Sequence, residues 1–193
     1  MPIFVEFVYV LRGLSRLVQF DIGGLGYFDR SIEGFWRSFR VALLIAPFSA
    51  IIIPYELELI RPTAGWQHIM LTEILSYIVG WVLFPTVAYE ICRLMNRETE
   101  YPGYIVVYNW STLLLVAAEV LMWLPTLLDI TAAETSHNLT LLVDHIYLIY
   151  LWFIARAALR IDPFSAIGVV FTDYVLSVVL SFIHGVMLNP AAS

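Results

Sequence analysis

The chain has 193 residues, of which 61% are hydrophobic and 13% charged, and its formal net charge is −6. A soluble domain carries about 25% charged and 45–50% apolar residues, and one core of this size cannot hide so much apolar surface from water. Composition therefore excludes a soluble globular protein, so we expect the lipid bilayer to surround most of the chain. The negative charge gives no reason to expect a nucleic-acid partner.

Residues 2–20 are predicted to form a helix with one polar stripe. Its polar residues recur every three or four positions, at Glu6, Tyr9, Arg12, Arg16 and Gln19. A wide apolar face with arginines on a narrow polar face is typical of a helix lying in the membrane interface. The alternative is a sixth spanning helix, in which Glu6, Arg12 and Arg16 would be costly.

Residues 21–30 form a glycine-rich connector, to which we assign no phosphate-binding role because it neither follows a strand nor contains GxGxxG. Asp29 or Ser31 is expected to cap the next helix. The sequence thus divides into residues 1–30, an amphipathic interfacial helix with its connector, and residues 31–193, a five-helix transmembrane domain.

Five apolar runs follow, each near the roughly 20 residues that a bilayer requires. The first contains Pro47 and Pro54, and the fifth opens with Asp162-Pro163, a capping residue before a proline at the first helical position. We predict an all-α polytopic bundle of five transmembrane helices plus the N-terminal interfacial helix. The predicted spans are 36–55, 66–92, 104–124, 139–159 and 162–188.

The basic residues test both the number of spans and their direction. All ten are arginines, and nine of them would lie on one side of a five-span protein, Arg61 being the exception. Because cytoplasmic loops concentrate basic residues, we predict a bacterial inner-membrane protein with a cytoplasmic N-terminus and a periplasmic C-terminus. The nine are Arg12, Arg16, Arg30, Arg37, Arg40, Arg93, Arg97, Arg156 and Arg160.

Aromatic residues near the ends of the spans are predicted to anchor the helices at the membrane interfaces. These residues are Trp36, Trp66, Tyr89, Tyr101, Tyr104 and Trp123.

Ionisable residues inside spanning helices are costly and are candidate functional groups. Four acids and two histidines form the predicted intramembrane polar cluster. From a rise of about 1.5 Å per residue, Glu73, Glu119 and Asp144 should lie at one depth, roughly 8–10 Å from the outer ends of their helices. The cluster comprises Glu73, Glu119, Asp144, His145, Asp173 and His184.

Four interpretations of this cluster remain open. The groups can be structural, hydrogen-bonding neighbouring helices, or Glu119, Asp144 and Glu73 can form a proton or cation path. A divalent metal is a third interpretation, although no His-x₃-His spacing is present. The fourth is haem b, ligated by two of His68, His145 and His184.

No enzymatic chemistry is indicated. The serines lack a GxSxG motif, and the single cysteine, Cys92, excludes an intramolecular disulfide and any CxxC motif. We therefore predict no catalytic residue, no metal ligand and no cofactor.

With five spans, an interfacial N-terminal region and Gly103-Tyr104 opening the third span, the chain resembles the Yip1-like class of small five-span membrane proteins. Phe28-Asp29-Arg30-Ser31 and Tyr108-Asn109-Trp110 are also similar to segments of small alphaproteobacterial membrane proteins. The resemblance implies a scaffold or adaptor that binds other membrane proteins or itself. We expect this non-enzymatic role first, a small ion- or proton-coupled transporter second, and a haem-binding protein third.

Overall fold

The computed structural model of the protein describes residues 3–190. Pro2, at the start of the predicted amphipathic helix, and residues 191–193, at the end of the predicted transmembrane domain, lie outside the described residues. Within residues 3–190 the chain forms seven α helices, a 3₁₀ helix at Ile22–Tyr27 and no strand, which confirms the all-α fold. The helices are α1 (Ile3–Leu17), α2 (Ile32–Ser38), α3 (Arg40–Ile60), α4 (Trp66–Leu94), α5 (Tyr101–Leu127), α6 (Ala133–Leu159) and α7 (Pro163–Leu188).

Five helical segments are long and apolar enough to cross a bilayer. They are α2 and α3 together, as Ile32–Ile60, followed by α4, α5, α6 and α7. The first predicted span is confirmed, with Pro47 and Pro54 inside α3, although a short helix, α2, precedes it. These five segments are those of a multi-pass membrane protein.

Two predicted caps set the starts of helices. The Ser31 hydroxyl accepts a hydrogen bond from the backbone N–H of Gly34 (3.1 Å), so Ser31, rather than Asp29, caps α2. The Asp162 carboxylate accepts hydrogen bonds from the N–H groups of Phe164 and Ser165 at the start of α7. Hydrogen bonds from the hydroxyl and backbone of Ser165 hold the pKa of Asp162 below its usual range. Both helices thus begin where side-chain acceptors satisfy their free N–H groups.

The loops divide between two ends of the bundle. At the end called here the basic end, Arg30 from the N-terminal segment packs on Gly103 at the start of α5, and Arg160 acts electrostatically on Glu100. At the distal end, the backbone N–H groups of Thr63 and Ala64 donate to the carbonyl oxygen of Leu188 (3.2 and 3.1 Å). The N-terminal region and the end of α7 therefore lie at opposite ends of the bundle.

The amphipathic helix α1 docks on the basic end through buried Val10, Leu14 and Leu17. An ion-pair network around Arg37 of α2 adds to this contact. The Arg37 guanidinium binds the carboxylate of Glu6 on α1 (3.3 Å), the carboxylate of Asp29, and the carboxylate of Glu33 (2.5 Å). The side chains of Arg37 and Glu6 are each only 12% exposed. Hydrogen bonds from Ser31 and Arg37 lower the pKa of Asp29, which stays ionised in this network.

Helix α5 is the centre of the bundle. Tyr104, Ile105, Val106 and Val107 are all buried near its start, and its interface with α6 is the most extensive in the molecule. Small buried residues occur elsewhere in the packing, such as Ala158 on α6. Small residues at helix contacts let backbones approach closely, which is a usual basis of helix association in lipid, where apolar burial gives little driving force.

The prediction of interfacial aromatics is only partly right. Trp36, within α2, and Trp66, at the start of α4, are largely exposed, which leaves both side chains free to contact the membrane interface. Tyr104 and Trp123, however, are each only 1% exposed, so they pack inside the bundle and do not anchor it. Tyr104 packs against Phe84. Position along a helix predicts depth in the bilayer, but only the rotation of the helix decides whether a side chain faces lipid or protein.

Replacing Gly34 by alanine should loosen the docking of α1. A Cβ at Gly34 would lie 1.9 Å from the backbone oxygen of Asp29, so the backbone of the α2 start must move, at a cost of about 1–3 kcal/mol. Limited proteolysis of the purified protein in detergent should show faster cleavage of the N-terminal segment. Gly26→Ala is the matched control, because a Cβ there meets no atom within 4 Å. Equal protection of the two variants would contradict this packing.

Candidate functional site

Three cavities meet at one carboxylate inside the bundle. Glu119 on α5 lines each of them, and its side chain makes no hydrogen bond to another residue of the described chain. Asn109 and Thr112 of the same helix line one of the cavities with it. The polar face of α5 therefore turns inward, as expected where water is absent from the surrounding hydrocarbon.

The first cavity, called here the distal cavity, has a volume of about 240 Å³ and lies between α3, α5 and α6. Three acids and a histidine line it together with hydroxyl groups and aromatic rings. The oxygen atoms Asp144 Oδ1 and Thr140 Oγ1 are enclosed by protein and have no hydrogen-bond partner among the described residues. Its polar lining comprises Ser49, Glu56, Glu119, His137, Thr140 and Asp144.

The second cavity, called here the central cavity, has a volume of about 400 Å³ and lies between α5, α6 and α7. Glu119 and Asp144 line it together with Asp173 of α7. Asp173 is 7% exposed, and both of its carboxylate oxygens accept a hydrogen bond from the Tyr108 hydroxyl at 3.1 Å. Three of the four predicted intramembrane acids therefore surround one space.

A third cavity of about 320 Å³ extends from Glu119 towards α3 and α4. Asn109 lines it and is completely buried. Its amide nitrogen donates to the Ser38 hydroxyl (2.8 Å), whereas its amide oxygen has no partner among residues 3–190. Buried polar atoms are rarely left unpaired, and a polar cavity is where water or a ligand would satisfy them.

Of the remaining predicted residues, only His145 lines one of these three cavities. The Glu73 carboxylate of α4 and the His184 ring of α7 are hydrogen-bonded, with 3.0 Å between Oε1 and Nε2. His68 Nε2 lies 2.9 Å from the backbone oxygen of Met187. His145 lines the central cavity but is largely exposed, and its Nδ1 lies 2.6 Å from the Leu141 oxygen. The three histidines proposed as haem ligands thus each contact a different group.

The structure sorts the predicted cluster into two kinds of group. Glu73, His184 and Asp173 hydrogen-bond across helices, as the structural interpretation expects. Glu119 and Asp144 face the cavities without such a contact, since no hydrogen bond of either side chain joins it to another described residue. Within residues 3–190, no three histidine, cysteine or carboxylate side chains are grouped as a metal site.

Two residues of the distal cavity were missed by sequence reasoning. Glu56 lies one residue beyond the predicted first span, 36–55, but α3 continues to Ile60 and holds it in the helix. The signal was present, because Ile45, Ser49, Ile52 and Glu56 recur at spacings of four, three and four. His137 was missed because it precedes the predicted fourth span, 139–159. It lies seven residues, or two helical turns, before Asp144 on α6.

The sequence matches no known protein family, and comparison with curated proteins and with solved structures finds no match. The resemblance to the Yip1-like class therefore stays a prediction.

Removing the Tyr108 hydroxyl should destabilise the bundle. Tyr108→Phe leaves the buried Asp173 carboxyl without its partner, at a cost of about 1–3 kcal/mol. Thermal unfolding in detergent, followed by loss of the monodisperse species, should occur at a lower temperature. Tyr174→Phe is the matched control, because Tyr174 is exposed on the same helix as Asp173. A Tyr108→Phe midpoint equal to that of the control would show that this hydrogen bond contributes nothing.

Proposed function

We propose that this chain is a multi-pass protein of the bacterial inner membrane that binds and passes protons or small cations through the cavities around Glu119. It acts as a small ion- or proton-coupled transporter. The observation that carries the proposal is that Glu119 lines all three cavities while making no hydrogen bond within the described chain.

The cavities supply a series of polar groups along the bundle. Glu56 and His137 stand nearest the distal end, close to the last turn of α3 and the first turns of α6. Glu119 and Asp144 follow, and the Tyr108–Asp173 pair lies further towards the basic end. A proton or cation entering from the distal side would meet acceptors at each of these positions, as carboxylate and histidine relays provide in membrane transporters.

A purely structural interior does not require this arrangement. Interhelical hydrogen bonds hold a bundle together when both partners are satisfied, as in the Asn109–Ser38 contact. Asp144 and Glu119 instead keep carboxylates beside open volume in a low-dielectric environment, which is expensive. A transported cation offsets that cost only while it is bound, which is what a transport site needs.

The scaffold role implied by the Yip1-like resemblance is the second candidate. It rests on the topology alone, since five spans and exposed apolar helix faces suit a partner-binding protein as well as a transporter. It makes no use of the cavities, and for this reason we place it second.

Flux through purified protein tests the proposal. Proteoliposomes containing a pH-sensitive dye should show proton flux, alone or driven by a Na⁺ or K⁺ gradient, above that of empty liposomes. Glu119→Gln should reduce this flux to background, because a neutral amide of the same shape cannot release a proton or hold a cation. Asp144→Asn gives a second test in the same cavity. The control is Glu98→Gln, an exposed acid in the α4–α5 turn.

Each outcome of the flux measurement is informative when size-exclusion chromatography shows folded variants. Flux that survives Glu119→Gln and Asp144→Asn unchanged would overturn the proposed role of these acids. Absence of flux from the unmodified protein would reject transport of these ions and favour the scaffold.

The orientation is tested by reporter fusions. Because nine of ten arginines lie in segments of the basic end, we expect this end to face the cytoplasm. Alkaline phosphatase fused after Ser193 should be active, and the same enzyme inserted after Asn96 should be inactive. The reverse pattern would invert the protein, and activity at both positions would be incompatible with the described bundle.

A further inference from the structure

A surface groove separate from the polar cavities lies between α6 and α7. It has a volume of about 420 Å³, and its lining is aliphatic and aromatic. Ile149 and Phe171 on its walls are 57% and 63% exposed, so the groove opens outwards to the hydrocarbon around the protein. Its principal lining residues are Leu148, Ile149, Trp152, Ile167, Val170 and Phe171.

The groove begins close to the basic end of the bundle. Trp152 lies about 10 Å from the end of α6 at Leu159, given about 1.5 Å of rise per residue. Its indole N–H donates to the backbone oxygen of Pro163 (3.0 Å), which fixes the ring between the two helices. We infer from this distance that the mouth of the groove lies near the depth where lipid headgroups meet acyl chains.

A cation stands at this mouth. Arg156 is one turn beyond Trp152, and its guanidinium carbon lies 5.8 Å from the centre of the Trp152 ring. Arg156 is exposed and has no carboxylate within 4 Å among the described residues. Of the acids near this turn, Asp162 is engaged in capping α7, and Glu100 interacts with Arg97 and Arg160.

We propose that this groove binds an anionic phospholipid, with one acyl chain along Trp152, Ile167 and Phe171 and the phosphate on Arg156. An apolar channel that ends at an uncompensated guanidinium matches a molecule with an apolar chain and an anionic head. Among the described residues Asp162 is an acid near this mouth, but its carboxylate accepts hydrogen bonds from the N–H groups of Phe164 and Ser165, so it is less available to a choline or ethanolamine ammonium. A second copy of this chain is a poorer occupant, because a two-fold contact at this face would bring Arg156 close to its own counterpart. This inference does not depend on the transport proposal.

Bromine-labelled lipids test the site. A variant that retains Trp152 and replaces the other five tryptophans with phenylalanine is placed in phosphatidylcholine vesicles. Each vesicle contains a small fraction of either brominated phosphatidylglycerol or brominated phosphatidylcholine. We expect phosphatidylglycerol to quench Trp152 at about fivefold lower mole fraction, the effect of one arginine near a membrane surface. Arg156→Gln should remove this preference, whereas Arg40→Gln, an exposed arginine of α3 at the same end, should leave it unchanged.

Native mass spectrometry of the full chain provides a second measurement that does not require the tryptophan replacements. Unmodified protein released from mixed phosphatidylglycerol and phosphatidylcholine micelles should retain phosphatidylglycerol selectively, and Arg156→Gln should not. Equal quenching and equal retention of the two lipids would overturn the proposal, since they indicate ordinary boundary lipid. A dimer that excludes both lipids from Trp152 would also overturn it, by showing a second copy in the groove.

Discussion

The absence of water in the hydrocarbon core fixes the rotation of α5, and the rest of the interior depends on that rotation. Lipid offers no hydrogen-bond partner to Tyr108, Asn109 or Glu119, so the face that carries them must turn towards other helices. Once it does, α3, α6 and α7 are placed opposite acids and hydroxyl groups, and side chains of different length leave the cavities that meet at Glu119.

The same constraint divides the intramembrane acids into those that hydrogen-bond to another helix and those that make no hydrogen bond to a described residue. Tyr108 satisfies Asp173, and His184 satisfies Glu73, so these pairs join helices that are distant in sequence. Among the described residues Asp144 has no such partner, although its Oδ1 is enclosed. A bundle stabilised only by packing would have replaced this carboxylate with an apolar residue at little cost. Its presence beside a cavity is the feature on which the proposed binding of a proton or cation rests.

The five spans were predictable from the sequence because span length depends on composition, and composition is local. The caps Ser31 and Asp162 were predictable for the same reason, since each acts within three residues. The burial of Tyr104 and Trp123 was not predictable, because it depends on how a nearly uniformly apolar helix is rotated about its axis. Glu56 was left outside the first predicted span because that apolar run stops at Tyr55, before the charged residues, whereas α3 continues to Ile60. Pairing Glu119 with Asp144 rather than with Glu73 required knowing which helices are neighbours.

The arginines of the basic end serve two different physical roles, and their surroundings distinguish them. Arg37 is nearly buried and is paired with three carboxylates, so its charge stabilises the contact between α1 and α2. The positive-inside bias counts arginines and is little affected by nearby acids, so Arg37 still contributes to orientation. It cannot, however, attract an anionic surface once its charge is neutralised. Exposed arginines with no such partner among the described residues, such as Arg156, keep a charge that can act on an anionic surface.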